Sequence, residues 1–299
     1  MSEIIPQVLA SKIKLPSLDK NVFELRALKD TFLTVLVWAL AILASVPLFS
    51  VIYMLIVEGG SRLDLEALTA IPPAGFEMGG GFGNAIIGTL VMVGIASAIS
   101  IPFGLMAAIH LAILDPNSKI ATISRFLAKV LTGFPSILAG VFVYAVIVIT
   151  TGTYSAWAGG VALAVLMLPT VTLAAEEAMK QVPQRMKDAA FGMGCTRTQV
   201  IMKVVLPTGL PGILTGVILA VAGAAGESAP LLFTALFSNY YMAELAEPTA
   251  SLSILIYNFS GMPFDNQIEL AWTASLVLVM LVLLFNILAR IVGRSKFND

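Results

Sequence analysis

Six apolar runs, each near the roughly 20 residues that a helix needs to cross a bilayer, leave this 299-residue chain few folds. They fall at about 31–57, 85–114, 127–150, 157–175, 210–236 and 269–292. In lipid only a helix or a closed barrel satisfies its own backbone groups. The alternating strands of about ten residues that build a barrel do not occur here. The expected fold class is therefore an all-α membrane protein with six transmembrane helices. The charged share, 12%, agrees; a soluble domain carries about twice that. Only TGTYSA separates the third run from the fourth, which predicts a tight helical hairpin.

Of the 17 Lys and Arg residues, all but Arg62 cluster in four places: before the first run, around 119–129, in 180–203, and at the C-terminal end. Basic residues stay on the cytoplasmic side, so both termini are expected in the cytoplasm, with 58–84 and 237–268 outside. The resulting division is a cytoplasmic arm 1–30, a first transmembrane helix 31–57, an external loop 58–83, a core 84–292 and a cytoplasmic tail 293–299. The core contains five helices and a cytoplasmic loop at about 176–207. Within the arm, 15–30 is either an interfacial amphipathic helix or a solvated lead-in. The first run is too long for a signal-peptide core. No basic excess points to nucleic acid. Cys195 is the single cysteine, so no disulfide or cysteine-rich metal site is expected. Paired carboxylates, histidine clusters and nucleophile triads are missing, so neither a catalytic nor a metal site is expected.

The segment DAAFGMGCTRTQVIMKVVLP, 188–207, is polar and basic between two spans. QVP before it suits a helix start, and Asp188, Ala189, Ala190 and Gly194 suit a short helix with one small-residue side. A connector needs none of this. The residues alone leave a protein-docking element and an ordinary interfacial helix equally open. The spacing resembles the signature loop of ABC-importer permeases: Glu-Ala-Ala, three residues, Gly, nine residues, Ile-x-Leu-Pro. Here Asp188-Ala189-Ala190 stands first, Gly194 follows at that spacing, and Val204-Val205-Leu206-Pro207 closes it. In that family the loop is a coupling helix seated in an ATPase subunit.

LTGFPSILAGVF (131–142), GESAPLLFTALF (226–237), SLSILIYNF (251–259) and AWTASLVLVMLVLLFNILAR (271–290) narrow the resemblance to phosphate-importer permeases of the PstA type. It implies a type-1 ABC importer permease core in a bacterial plasma (inner) membrane. The implied partners are a second related permease, an ATP-binding subunit dimer and an external phosphate-binding protein. The chain has no phosphate loop of the form G-x-x-x-x-G-K-[ST], so ATP and Mg are expected in the partner ATPase, and no cofactor here. A permease for another oxyanion or polar solute is the alternative; a secondary transporter or scaffold is the rival of another class. Asp188 for Glu and Val204 for Ile are mild departures from the family; two others stand out, Gly223 where arginine is common and Ser253 where proline is usual.

Glu227 lies within the fifth run, where a charge costs roughly 2.5–3.5 kcal/mol. Either it pairs with a basic residue of the partner permease or it is a gating or proton-bearing group. Ser136, Ser228 and Thr234 could donate to an oxyanion, though such hydroxyls often bond to their own helix. Pro135, Gly226 and Pro230 would interrupt spans 3 and 5, and a broken helix exposes N–H groups that can hold an anion. TGFPSILAGV (132–141) and TGLPGILTGV (208–217) match at seven of ten positions, either by convergence or as related halves.

Overall fold

A computed structural model describes residues 25–293. The expectations for 1–24, for Arg294 and Lys296, and for the rest of the tail lie outside the described residues. Contacts divide the chain into two units, 1–53 and 54–299. The described part of the first is one helix, α1 (Leu25–Gly60), whose last turns belong to the second unit.

The second unit continues with α2 (Leu65–Thr69) and α3 (Gly83–Ile109), which ends in a π turn, His110–Leu114. Next come α4 (Lys119–Thr132) and α5 (Ser136–Val143); α5 runs through a π turn, Tyr144–Val148, to Ile149–Thr151. After α6 (Ala156–Lys180) come α7 (Gln184–Gly192) and α8 (Arg197–Val200), joined by the π turn Ile201–Val205 to α9 (Leu206–Gly226). Then follow α10 (Ala229–Thr234), α11 (Leu252–Ser260) and α12 (Asp265–Gly293). Among the described residues the fold is helical throughout. Five helices are long and apolar enough to cross a membrane, six if the bent pair α4–α5 counts as one span.

Two expected boundaries move. The third run is not one helix from 127: α4 and α5 meet at 105° across Gly133–Pro135. Pro135 has no N–H and its ring excludes the residue before it from the helical region, so the chain turns there. The fifth span begins well before 210. Arg197–Gly226 runs 30 residues without a break, and Pro207 does not end the preceding segment. A π turn lies immediately before Pro207, where its ring would otherwise strike a backbone carbonyl one turn back.

The two echoed decapeptides therefore take different shapes, one bent at Pro135 and the other in an unbroken helix through Pro211. Packing explains the second. A Cβ on Gly212 would stand 2.8 Å from Ala178 Cβ, and one on Gly216 would come closer still to Ala174 Cβ. Glycines of α9 and alanines of α6 let the two backbones approach, as small-residue seams do in membranes. The match in sequence is therefore not a match in shape.

The hairpin after TGTYSA forms, α6 following α5 across a left-handed Gly152. α6 is the central helix. Leu163, Met167 and Val171 on it pack with Met92 and Ala96 of α3, Ala220 and Ala224 of α9, and Leu231 of α10. The loop 237–268 does not lie on the surface throughout: Leu252, Ile254 and Leu255 of α11 are fully buried. Leu252 N donates to Thr89 Oγ1 at 2.9 Å, and Ser253 Oγ to the Glu227 carbonyl at 2.9 Å. Ser253 thus satisfies a carbonyl freed where α9 stops, which a proline side chain could not do.

Candidate functional site

At the basic end of the helices, Pro183 caps α7 and the chain leaves it through Gly194. Ala190 turns inward, into a cluster with Ala108, Met179, Val200 and Val205. Asp188 and Ala189 face outward with Met186, Phe191 and Met193. Gln184 Nε2 donates to the Asp188 carboxylate at 2.9 Å. An exposed apolar face on a short helix at a charged end is suited to burial by another protein. Leu206 and Pro207 stand apart from that face, half-buried at the start of α9. The expected coupling residues therefore divide into an outer face on α7 and a support behind it.

Gly194 has φ +84, and an added Cβ would meet nothing within 4 Å. Its N–H bonds Phe191 O at 2.9 Å and Cys195 N bonds Ala190 O at 3.1 Å, a left-handed helix stop. The chain's own backbone already favours glycine here, before any partner is considered. Asparagine tolerates this conformation and β-branched residues resist it, at about 1–2 kcal/mol. Gly194→Asn should keep ATPase copurification near wild type, and Gly194→Val should lower it. Equal loss in both would place the cause in the partner contact instead.

A second site forms where spans 3 and 5 break. A cavity of about 210 Å³ is lined by Thr132, Phe134 and Ser136 from the α4–α5 corner, Met167 and Thr170 from α6, and Gly223 and Glu227 at the end of α9. Pro135 caps α5, so the first N–H groups of α5 have no intrahelical partner. Glu227 ends α9 with extended backbone (ψ 120) and is half-buried. Among the described residues it makes no ion pair. Ser136 and Thr170 keep their hydroxyls unpaired within the described residues, whereas Thr132 donates to Lys129 O.

The other expected pathway residues lie apart from this cavity. Gly226 is exposed at the break, and Ser228 caps α10. Pro230 is buried against α5, where a Cβ on Gly140 would come within 2.6 Å of its Cα. Thr234 is fully buried and donates to Pro230 O at 2.8 Å. It is bonded back to its own helix, as lone hydroxyls in spans tend to be.

Sequence reasoning missed a charged cluster. Glu176, 3% exposed, accepts from Arg125 Nε at 2.5 Å and from Lys180 Nζ at 2.6 Å. Arg125 also donates to Leu111 O at 2.6 Å and Pro116 O at 2.8 Å. The i,i+4 spacing of Glu176 and Lys180 was a usable signal; the arginine, 51 residues away, carried none. The Thr196–Gln199 capping box was also legible from its spacing, Thr196 N donating to Gln199 Oε1 at 2.8 Å.

A family model described as "Binding-protein-dependent transport system inner membrane component" matches residues 100–297. The phosphate transport system permease protein PstA of Yersinia pestis is 37% identical over 246 residues, covering 82% of this chain and 83% of that protein. A probable PstA of Methanocaldococcus jannaschii is 39% identical over 261 residues, covering 87% and 92%. Among solved structures, a chain of a bacterial alginate ABC transporter, in complex with its alginate-bound periplasmic protein, superposes with a TM-score of 0.63. It is 14% identical and covers 89% of this chain and 96% of its own. An inward-facing MetNI methionine ABC transporter chain gives 0.58 at 22% identity, covering 71% and 94%. These two likenesses speak for the fold alone.

Proposed function

This chain belongs to the binding-protein-dependent transport system inner membrane components, within the PstA phosphate permeases, and from that premise we propose how it moves its solute. It is the permease subunit of an ATP-driven phosphate importer, a multi-pass membrane protein working in a complex with an ATPase and a solute-binding protein. Our fuller reading places it in a bacterial plasma membrane with both termini cytoplasmic, beside a second, related permease and over a dimer of ATP-binding subunits that hold the ATP and Mg. The grouping of every Lys and Arg except Arg62 on one side supports that orientation.

The observation that carries the mechanism is the cavity at the two broken spans. The N-terminus of α5 and the hydroxyls of Ser136 and Thr170 offer hydrogen-bond donors to an oxyanion without a side-chain cation. Glu227 repels that anion, so a cation from the second permease is the simplest source of neutralisation. Closure of the ATPase shifts α7, and α7 leads through a short link into the continuous α8–α9 helix, whose far end is the Glu227 break. Moving that end relative to α5 opens the cavity alternately to the two sides.

The test is uptake by the whole complex in proteoliposomes, with ATP enclosed and phosphate or sulfate supplied with the binding protein. Phosphate should accumulate only with ATP, and sulfate should not. Glu227→Gln should assemble normally and change the phosphate moved per ATP. Uptake without ATP, or a wild-type ratio of phosphate to ATP in Glu227→Gln, would contradict the scheme.

A further inference from the structure

The last turn of α3 is held by arginines from two other elements. Its carbonyls have no further intrahelical donors and carry the negative end of the helix dipole. Arg125, on α4, takes Leu111 O and Pro116 O, and its Nε is committed to Glu176 of α6. That arginine binds the basic ends of α3, α4 and α6 to one another. Arg197 takes the last two: its Nη2 donates to Ile113 O at 2.6 Å and also to Leu114 O. It is the first residue of α8, three positions after Gly194, at the root of α7.

Among the described residues, these two bonds are the only side-chain hydrogen bonds that leave 184–200 for another element. The other link to α3 is apolar, through the cluster that holds both Ala108 and Ala190. Small methyl contacts transmit a push but resist sliding weakly. Two hydrogens on one planar nitrogen, directed at consecutive carbonyls, fix direction as well as distance. The side chain is exposed, so its charge is screened; the geometry of the fork is what couples the elements.

We propose that Arg197 is a positioning residue that makes α3 follow α7, so that movement at the ATPase contact reaches span 2 as well as span 5. The proposal rests on α7 being the ATPase-docking element.

Phosphate uptake and ATP hydrolysis are to be measured on the same proteoliposomes of the complete transporter, for wild type, Arg197→Gln, Arg197→Lys and the neighbouring Thr198→Ala. Arg197→Gln should lower phosphate moved per ATP by about 3–10-fold, with ATP hydrolysis and ATPase copurification unchanged. Arg197→Lys, which keeps the charge on a freely pivoting ammonium, should recover only part; Thr198→Ala should match wild type. An unchanged ratio in Arg197→Gln would overturn the proposal. So would loss of the ATPase from that variant, which would put Arg197 in the docking face itself. Wild-type vesicles in which uptake ignores ATP would instead strike the underlying reading of the function.

Discussion

Arg125→Met is expected to destabilise the protein by about 3 kcal/mol, within the range for removing one partner of a buried ion pair. The substitution leaves Glu176, almost wholly buried, with Lys180 as its remaining cation among the described residues. It also strips the donor from Leu111 O in the last turn of α3 and from Pro116 O just beyond it. Arg125→Lys should recover little, because one ammonium on a shorter reach cannot serve the carboxylate and two separate carbonyls. Arg125→Met with Glu176→Met should be more stable than either single variant, since apolar side chains of similar bulk can replace a buried pair. Thermal unfolding of the purified complex in detergent measures all four. A wild-type midpoint for Arg125→Met would mean that the cluster contributes nothing to holding α4 against α6.

The long apolar runs were legible because a bilayer imposes one demand on every residue in them. Spans 2, 4 and 6 accordingly lie near their expected limits, each a single helix. The sequence was less informative where local rules compete. Pro135 was read as interrupting its span and Pro207 as closing the loop before the fifth, yet of Pro135, Pro207 and Pro211 only Pro135 turns the chain sharply. A π turn absorbs Pro207 and the glycine–alanine seam with α6 carries α9 past Pro211. Such compensation comes from a neighbouring helix and has no local signature. The same holds for the site. Ser136, Glu227 and Gly223 were visible as odd residues within spans, and all three line the cavity. Thr170 was not singled out, because a threonine within a helix looks ordinary until its neighbours are placed. Pro230 and Thr234 share a motif with Glu227 but serve the packing of α5 on α10.

Gly223 offers the second large effect. A Cβ built there meets nothing within 4 Å, and the position lines the cavity four residues before Glu227. A large side chain at this point enters open space and should cost the fold little beyond what a helical glycine costs or gains, about 1 kcal/mol. Gly223→Phe should therefore assemble, bind the ATPase and hydrolyse ATP, and its phosphate uptake should be abolished. Gly223→Arg places a cation beside Glu227 and should slow release more than it improves capture.

The central claim is that phosphate passes between α5 and the broken end of α9. The most direct measurement is modification of Gly223→Cys, in a Cys195→Ser background, by a small charged thiol reagent during ATP-driven turnover. Modification should stop phosphate uptake, and phosphate should slow the modification, with Thr170→Cys behaving alike. If Gly223→Cys reacts fully while uptake continues at its unmodified rate, the solute travels by another route and the account is wrong.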